Sequence, residues 1–121
     1  MRILIISDIH ANLTALNSVL ADVGNYDAVW CLGDLVGYGP DPNECIARVR
    51  ELPYLACIIG NHDAAALNQI ETATFNTEAR QALEWTQRVL SEDSKEFLRS
   101  LPELIEFDQV TSDLKIATPM F

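Results

Sequence analysis

The stretch Ile3-Leu4-Ile5-Ile6-Ser7-Asp8-Ile9-His10 decides how this chain is read, because a short β-branched apolar run stops abruptly at an acid and an imidazole. Residues 2–7 read as a strand apolar on both faces, the pattern of a parallel sheet covered on each side. Asn12 then stands as N-cap of a helix that carries Leu13, Leu16, Leu20 and Val23 at helical spacing, with Gly24 as its stop. That stripe is expected to face the sheet. The rhythm returns twice more. Residues 28–32 form a second strand, residues 33–42 a loop with three glycines and two prolines, and Asp41 caps a helix over 42–52 with Pro42 in its first turn. Residues 54–59 form a third strand, ended by the polar loop Gly60-Asn61-His62-Asp63. The class is therefore α/β, with a mostly parallel sheet and flanking helices.

From residue 64 the pattern turns helical. Asn76 or Thr77 starts a helix through Leu83, Trp85 and Leu90, and Ser91 with Glu92 and Asp93 opens another that Pro102 ends. Residues 104–107 and 114–117 read as a hairpin joined by a turn over 108–113. Trp30 and Trp85 read as core. The last residues, Thr118-Pro119-Met120-Phe121, end on two large apolar side chains where polar ones usually fray out. We therefore expect residues 1–121 to be a single, apparently incomplete domain, the front of a longer one.

Composition narrows the function. A length of 121 residues, 49% hydrophobic and 21% charged, is that of one globular domain. Eight Lys and Arg against eighteen Asp and Glu leave a net charge of −10, which disfavours nucleic acid polymers and anionic membranes. No apolar run approaches a membrane span or the core of a signal peptide, so a cytoplasmic location is expected. Cys31, Cys45 and Cys57 cannot pair completely and have no zinc-ligand spacing, which suits a reduced compartment. Cys31 and Cys57 read as small buried hydrophobes.

Ligands of parallel α/β sheets bind beyond the carboxyl ends of the strands, where neighbouring loops converge. Here those loops bring Asp8 and His10, then Asp34, then Asn61 and His62. Asp8 and His10 are two apart, so in an extended stretch both side chains point the same way and grip one ion. Asp34 from the adjacent strand can bridge that ion to a second, for which the Asn61 carboxamide is a neutral oxygen ligand. Mixed N and O ligation suits Mn²⁺, Fe, Zn²⁺ or Ni²⁺. Two such cations clamp a phosphoryl group and generate a hydroxide for in-line attack, while His62 donates a proton to the leaving oxygen. Asp63 is either a supporting partner behind the ligands or the N-cap of the following helix. The glycines of these loops, Gly33, Gly37, Gly39 and Gly60, serve backbone geometry, since no phosphate-cradling glycine pattern is present.

The three motifs together carry a resemblance. D-I-H at residues 8–10, G-D-L-V-G-Y-G-P at residues 33–40 and G-N-H-D at residues 60–63, each after a strand, resemble the first three motifs of the calcineurin-like metallophosphoesterases. Asp41-Pro42-Asn43-Glu44, Phe75-Asn76-Thr77-Glu78 and Ala82-Leu83-Glu84-Trp85 are similar to its small bacterial branch related to diadenosine tetraphosphatases and phosphodiesterases. The resemblance spans roughly residues 1–107. It implies the amino-terminal part of an α/β/β/α sandwich and a dinuclear Mn, Fe, Zn or Ni centre that hydrolyses phosphomonoesters or phosphodiesters. In that scheme Asp8, His10 and Asp34 hold the first metal, with Asp34 bridging. Asn61 belongs to the second metal, and His62 is the proton donor or transition-state stabiliser.

The family also uses later histidines to complete both metal sites, whereas this sequence has only His10 and His62. The second metal would keep Asp34 and Asn61 alone, where about four to six ligands are usual. The alternative to a phosphoesterase is therefore a catalytically inactive remnant, a binding or oligomerising domain with at most one weakly held cation. A flavodoxin-like regulator with one Mg²⁺ is a third reading, and it leaves both histidines unexplained. With most of the second sheet absent, an apolar sheet face is expected to be exposed or covered by another copy of the chain.

Overall fold

The computed structural model describes residues 1–107 and the strand Leu114–Ala117. The expected turn over 108–113 and the apolar end at 118–121 lie outside the described residues. Three parallel strands, β1 (Ile3–Ile6), β2 (Ala28–Cys31) and β3 (Leu55–Cys57), pair in the order β1-β2-β3. Ile6 stands opposite Cys31, and Cys31 opposite Cys57, so the three strands end in register at one rim.

Between them run α1 (Leu13–Asp22) and α2 (Pro42–Arg50), followed by α3 (Asn61–Ala66), α4 (Thr77–Val89) and α5 (Glu92–Arg99). Three of these helices start on the side chains that local chemistry favours. Asn12, Asn76 and Ser91 accept from the backbone N–H groups of Ala15, Ala79 and Ser94 at 3.0, 2.8 and 3.1 Å. Asp41 precedes Pro42 as expected, but its side chain makes no cap bond. The order of α2 comes instead from proline at its start and from the Asp41 N–H, which donates to Ala11 O at 2.9 Å. Gly24 follows α1 with a left-handed φ of 72°.

All five helices contribute to one apolar cluster on one face of the sheet. Leu16, Ile46, Val49, Ala65, Leu83 and Leu98 pack there with Ile6, Val29, Cys31 and Cys57. The alternate strand residues face the other way, where Trp30 and Ile58 meet Ile105 and Phe107. Ile105 and Phe107 belong to β4 (Leu104–Phe107), which pairs antiparallel with β5 (Leu114–Ala117). The Phe107 ring stacks on Trp30 with centroids 4.5 Å apart. Helices, parallel sheet and hairpin thus form successive layers, and the second sheet face is covered at its centre by the chain's own hairpin.

Two expectations are corrected. Strand β1 is covered on both faces only in part: at the sheet edge among the described strands, Ile5 is 56% exposed. Trp85 is 37% exposed rather than core, because Leu83 and Thr86 are the buried positions of α4 and Trp85 lies outside their stripe. Trp30 is buried as expected. The three cysteines are free and buried, and burial pushes the Cys45 thiol up to about 11.

Candidate metal centre

Parallel pairing continues past the ends of β1 and β2 into the loops. Asp8 N donates to Gly33 O at 3.1 Å, His10 N to Asp34 O at 2.9 Å and Ala11 N to Leu35 O at 2.8 Å. The first two loops therefore run side by side. The stretch is not extended, as the two-residue spacing had implied: Asp8, His10 and Asp34 all take left-handed backbone conformations, with φ of 55, 48 and 55°. Convergence of their side chains comes from these turns, each unusual for a residue with a Cβ.

The donor atoms meet. One ligand atom each from Asp8, His10 and Asp34 lies within 4.8 Å of the others. His10 Nδ1 sits 3.0 Å from Val36 O, and because a carbonyl only accepts, Nδ1 carries the hydrogen. In the neutral ring the lone pair is then on Nε2, which lies 3.4 Å from Asp8 Oδ1. A backbone carbonyl that fixes the tautomer in this way is the usual support of a metal-binding imidazole. The Ser7 hydroxyl donates to Asp8 Oδ2 at 2.6 Å and holds that carboxyl below its ordinary range. Burial pushes Asp34 the other way, and the nearby Asp8 charge adds to the rise. Two carboxylates and one oriented imidazole, with no Lys or Arg in a salt bridge to them among the described residues, fit a divalent cation.

The third loop is tied to the second. His62 N donates to Asp34 Oδ1 at 3.0 Å, which brings Asn61 and His62 to the same rim. The sequence Gly60-Asn61-His62-Asp63 does not remain loop: α3 already begins at Asn61, with Gly60 as its N-cap. Asp63 is accordingly not the N-cap but the third residue of the helix, and its Oδ2 accepts from Gly60 N at 2.9 Å. The same carboxylate accepts from Asp34 N and Leu35 N at 2.9 Å and from Val36 N at 3.2 Å. It is fully buried, and burial pushes it up to about 7 against the pull of these four donors. Asp63 thus fastens the loop that carries Asp34 to the start of α3.

The His62 ring lies among other rings, with centroids 4.8 Å from His10, 5.1 Å from Tyr38 and 5.1 Å from Phe75. Its Nδ1 is buried without a hydrogen-bond partner among the described residues, and burial lowers its pKa. Sequence reasoning did not single out Ser7, the Val36 carbonyl or Tyr38. Only Tyr38 left a signal, as a bulky residue between two glycines in a loop.

A parallel sheet flanked by helices, whose strand-end loops gather carboxylate and imidazole donors, defines an α/β scaffold with a candidate metal site. The calcineurin-like phosphoesterase family matches residues 1–113, and the chain belongs to it. A metallophosphoesterase crystal structure from Sphaerobacter thermophilus superimposes with a TM-score of 0.74 at 48% identity, covering 87% of this chain and 42% of that one. An uncharacterised protein of Methanocaldococcus jannaschii is 45% identical over 106 residues, which are 86% of this chain and 43% of that protein. A symmetrical bis(5'-nucleosyl)-tetraphosphatase of Pectobacterium carotovorum is 36% identical over 67 residues, 52% of this chain and 24% of that enzyme. The chain spans less than half the length of these relatives.

Proposed function

We propose that this chain carries the first metal-binding half of a phosphoesterase acting on small phosphomonoesters or phosphodiesters. The observation that supports it is the convergence of Asp8, His10 and Asp34 donor atoms, with the His10 tautomer fixed by Val36 O. Asp8 and His10 would hold one cation, and Asp34 would share it with a second that Asn61 helps to ligate. When bound, Mn²⁺ or a similar ion supplies Lewis-acid activation of water and of the phosphoryl oxygens. Asp34, steadied by the His62 N–H, keeps one carboxylate oxygen turned to the adjacent helix start and the other available. His62 has Nδ1 enclosed beside Gly37, which leaves Nε2 to give a proton to the leaving oxygen. The similarity to a dinucleoside tetraphosphatase supports a substrate built on phosphate esters of nucleosides. Hydrolysis of p-nitrophenyl phosphate and of its bis ester with added Mn²⁺ tests the reading. Asp34→Asn is expected to lower either rate at least tenfold, as typical for loss of a metal-site group; equal rates would refute the role of Asp34.

One observation favours a second reading. Beyond His10 the sequence holds only His62, and His62 Nδ1 is enclosed, so the second cation has few donors. On this reading the isolated chain binds one cation and is catalytically inert. Metal analysis after dialysis decides, since two equivalents per chain would contradict it. The exposed edge at Ile5 supports pairing between copies, and a clean monomer by light scattering at high concentration would exclude that. Among the described residues no helix is long and apolar enough to cross a membrane, and three free, buried cysteines support a cytoplasmic location.

A further inference from the structure

Tyr38 stands out because its conformation and its exposure are both unfavourable. It holds a left-handed φ of 64°, rare for a bulky side chain, yet remains 49% exposed, so burial does not offset the strain. Its position is imposed from both sides. A Cβ on Gly37 would come within 2.6 Å of His62 Nδ1, and one on Gly39 would collide with the His10 carbonyl oxygen. The loop is therefore pressed onto the two histidine-bearing loops, and the Tyr38 ring meets His10 edge-on at 5.2 Å and His62 at 5.1 Å. Tyr38 also lines, with Asp8 and His10, an open cavity of about 770 Å³. No Lys or Arg is among the described residues of its wall, so a ligand there gains nothing from a basic clamp. Beside Asp8 and His10 the wall is largely aliphatic, and the one further aromatic ring it presents among the described residues is Tyr38.

We infer that Tyr38 is a substrate-contacting residue that stacks on a planar ring of the esterified group, an aryl ring bonded to the ester oxygen or the base of a nucleoside ester, and so selects aromatic over aliphatic phosphoesters. The inference rests on the phosphoesterase reading and names its substrate class. Rings of this kind stack on aromatic side chains with enough energy to change affinity about tenfold.

The test is equilibrium titration of the Mn²⁺-loaded chain with inorganic phosphate, propyl phosphate and phenyl phosphate, for wild type, Tyr38→Phe and Tyr38→Leu. Phenyl phosphate is expected to bind about tenfold tighter than propyl phosphate to wild type and to Tyr38→Phe, with the ratio falling near one in Tyr38→Leu. A ratio near one in wild type, or one that survives Tyr38→Leu, overturns the role of Tyr38 while leaving phosphate binding intact. Loss of the ratio in Tyr38→Phe overturns it as well, since the hydroxyl rather than the ring would then be responsible. Failure of inorganic phosphate to bind wild type at all refutes the phosphoesterase reading, and the inference with it.

Discussion

Asp63→Asn isolates the joint between the metal loops. The two side chains have nearly the same shape, but the amide replaces one carboxylate oxygen by an NH₂ group. In the native site Oδ1 serves Leu35 N and Val36 N, and Oδ2 serves Asp34 N and Gly60 N. Whichever way the amide turns, two backbone N–H groups lose their acceptor and face another donor. Each buried donor so orphaned costs about 1–3 kcal/mol, hence about 2–6 kcal/mol for the pair. A domain of this size is typically stable by about 5–15 kcal/mol, so the loss is a large share. With a urea slope of about 1–3 kcal/mol per M, the midpoint should fall by roughly 1–3 M at unchanged slope. The assay is urea unfolding followed by circular dichroism, without metal and at pH 8, above the value of about 7 to which burial pushes this carboxyl. A midpoint within about 0.3 M of wild type would refute the assignment of Asp63 as the clamp.

Three further outcomes follow from the same geometry. Gly60→Ala places a Cβ against Asp34 N and Oδ1 while φ, at −92°, suits any residue, so lack of space alone should cost about 1–3 kcal/mol and weaken Mn²⁺ binding; calorimetric titration at wild-type affinity would contradict this. Phe107→Ala removes the ring stacked on Trp30 and should destabilise by about 1–3 kcal/mol, with Trp30 emission moving to the red in a Trp85→Phe background. Emission that stays put would mean the hairpin does not seal that sheet face. Saturating Mn²⁺ should raise the melting temperature, by about 2.7 kcal/mol of added stability at a hundredfold excess over Kd, and EDTA should reverse it. A rise of the same size in His10→Ala would remove His10 from the site.

The strands and the capped helix starts were legible because their causes are local. An apolar run, an Asn or a Ser before a helical stripe and a Gly after it act within a few residues, and Asn12, Asn76 and Ser91 make the bonds their positions imply. The candidate ligands were legible as residue types at strand ends, but their arrangement was not. Left-handed turns at Asp8, His10 and Asp34 depend on bonds between residues 24 or more apart in the chain, such as His10 N to Asp34 O. The early start of α3 was hidden because Gly-Asn-His-Asp has loop composition; what makes it helical is Asp63 reaching back to Gly60 N. Helical spacing placed Trp85 on α4 without showing that its neighbours Leu83 and Thr86 would take the buried face. Exposure of Ile5 follows from strand order, which no single run of sequence contains.

These observations also explain why the cation should act on stability and not only on chemistry. Left-handed backbone at a residue with a Cβ costs about 1–2 kcal/mol, and the two adjoining loops concentrate five such residues, Asp8, His10, Ala11, Asp34 and Tyr38. Burial adds to this, since it disfavours the charge of the Asp34 carboxyl, and the nearby Asp8 carboxylate raises it further by a smaller amount. Without metal, the restoring forces are backbone bonds between the loops and the four donors gathered on Asp63. A divalent cation removes the repulsion that those bonds resist, whereas it gives the unfolded chain almost nothing. The melting shift on adding Mn²⁺ therefore measures the convergence of Asp8, His10 and Asp34 directly, in a chain that need not turn over substrate.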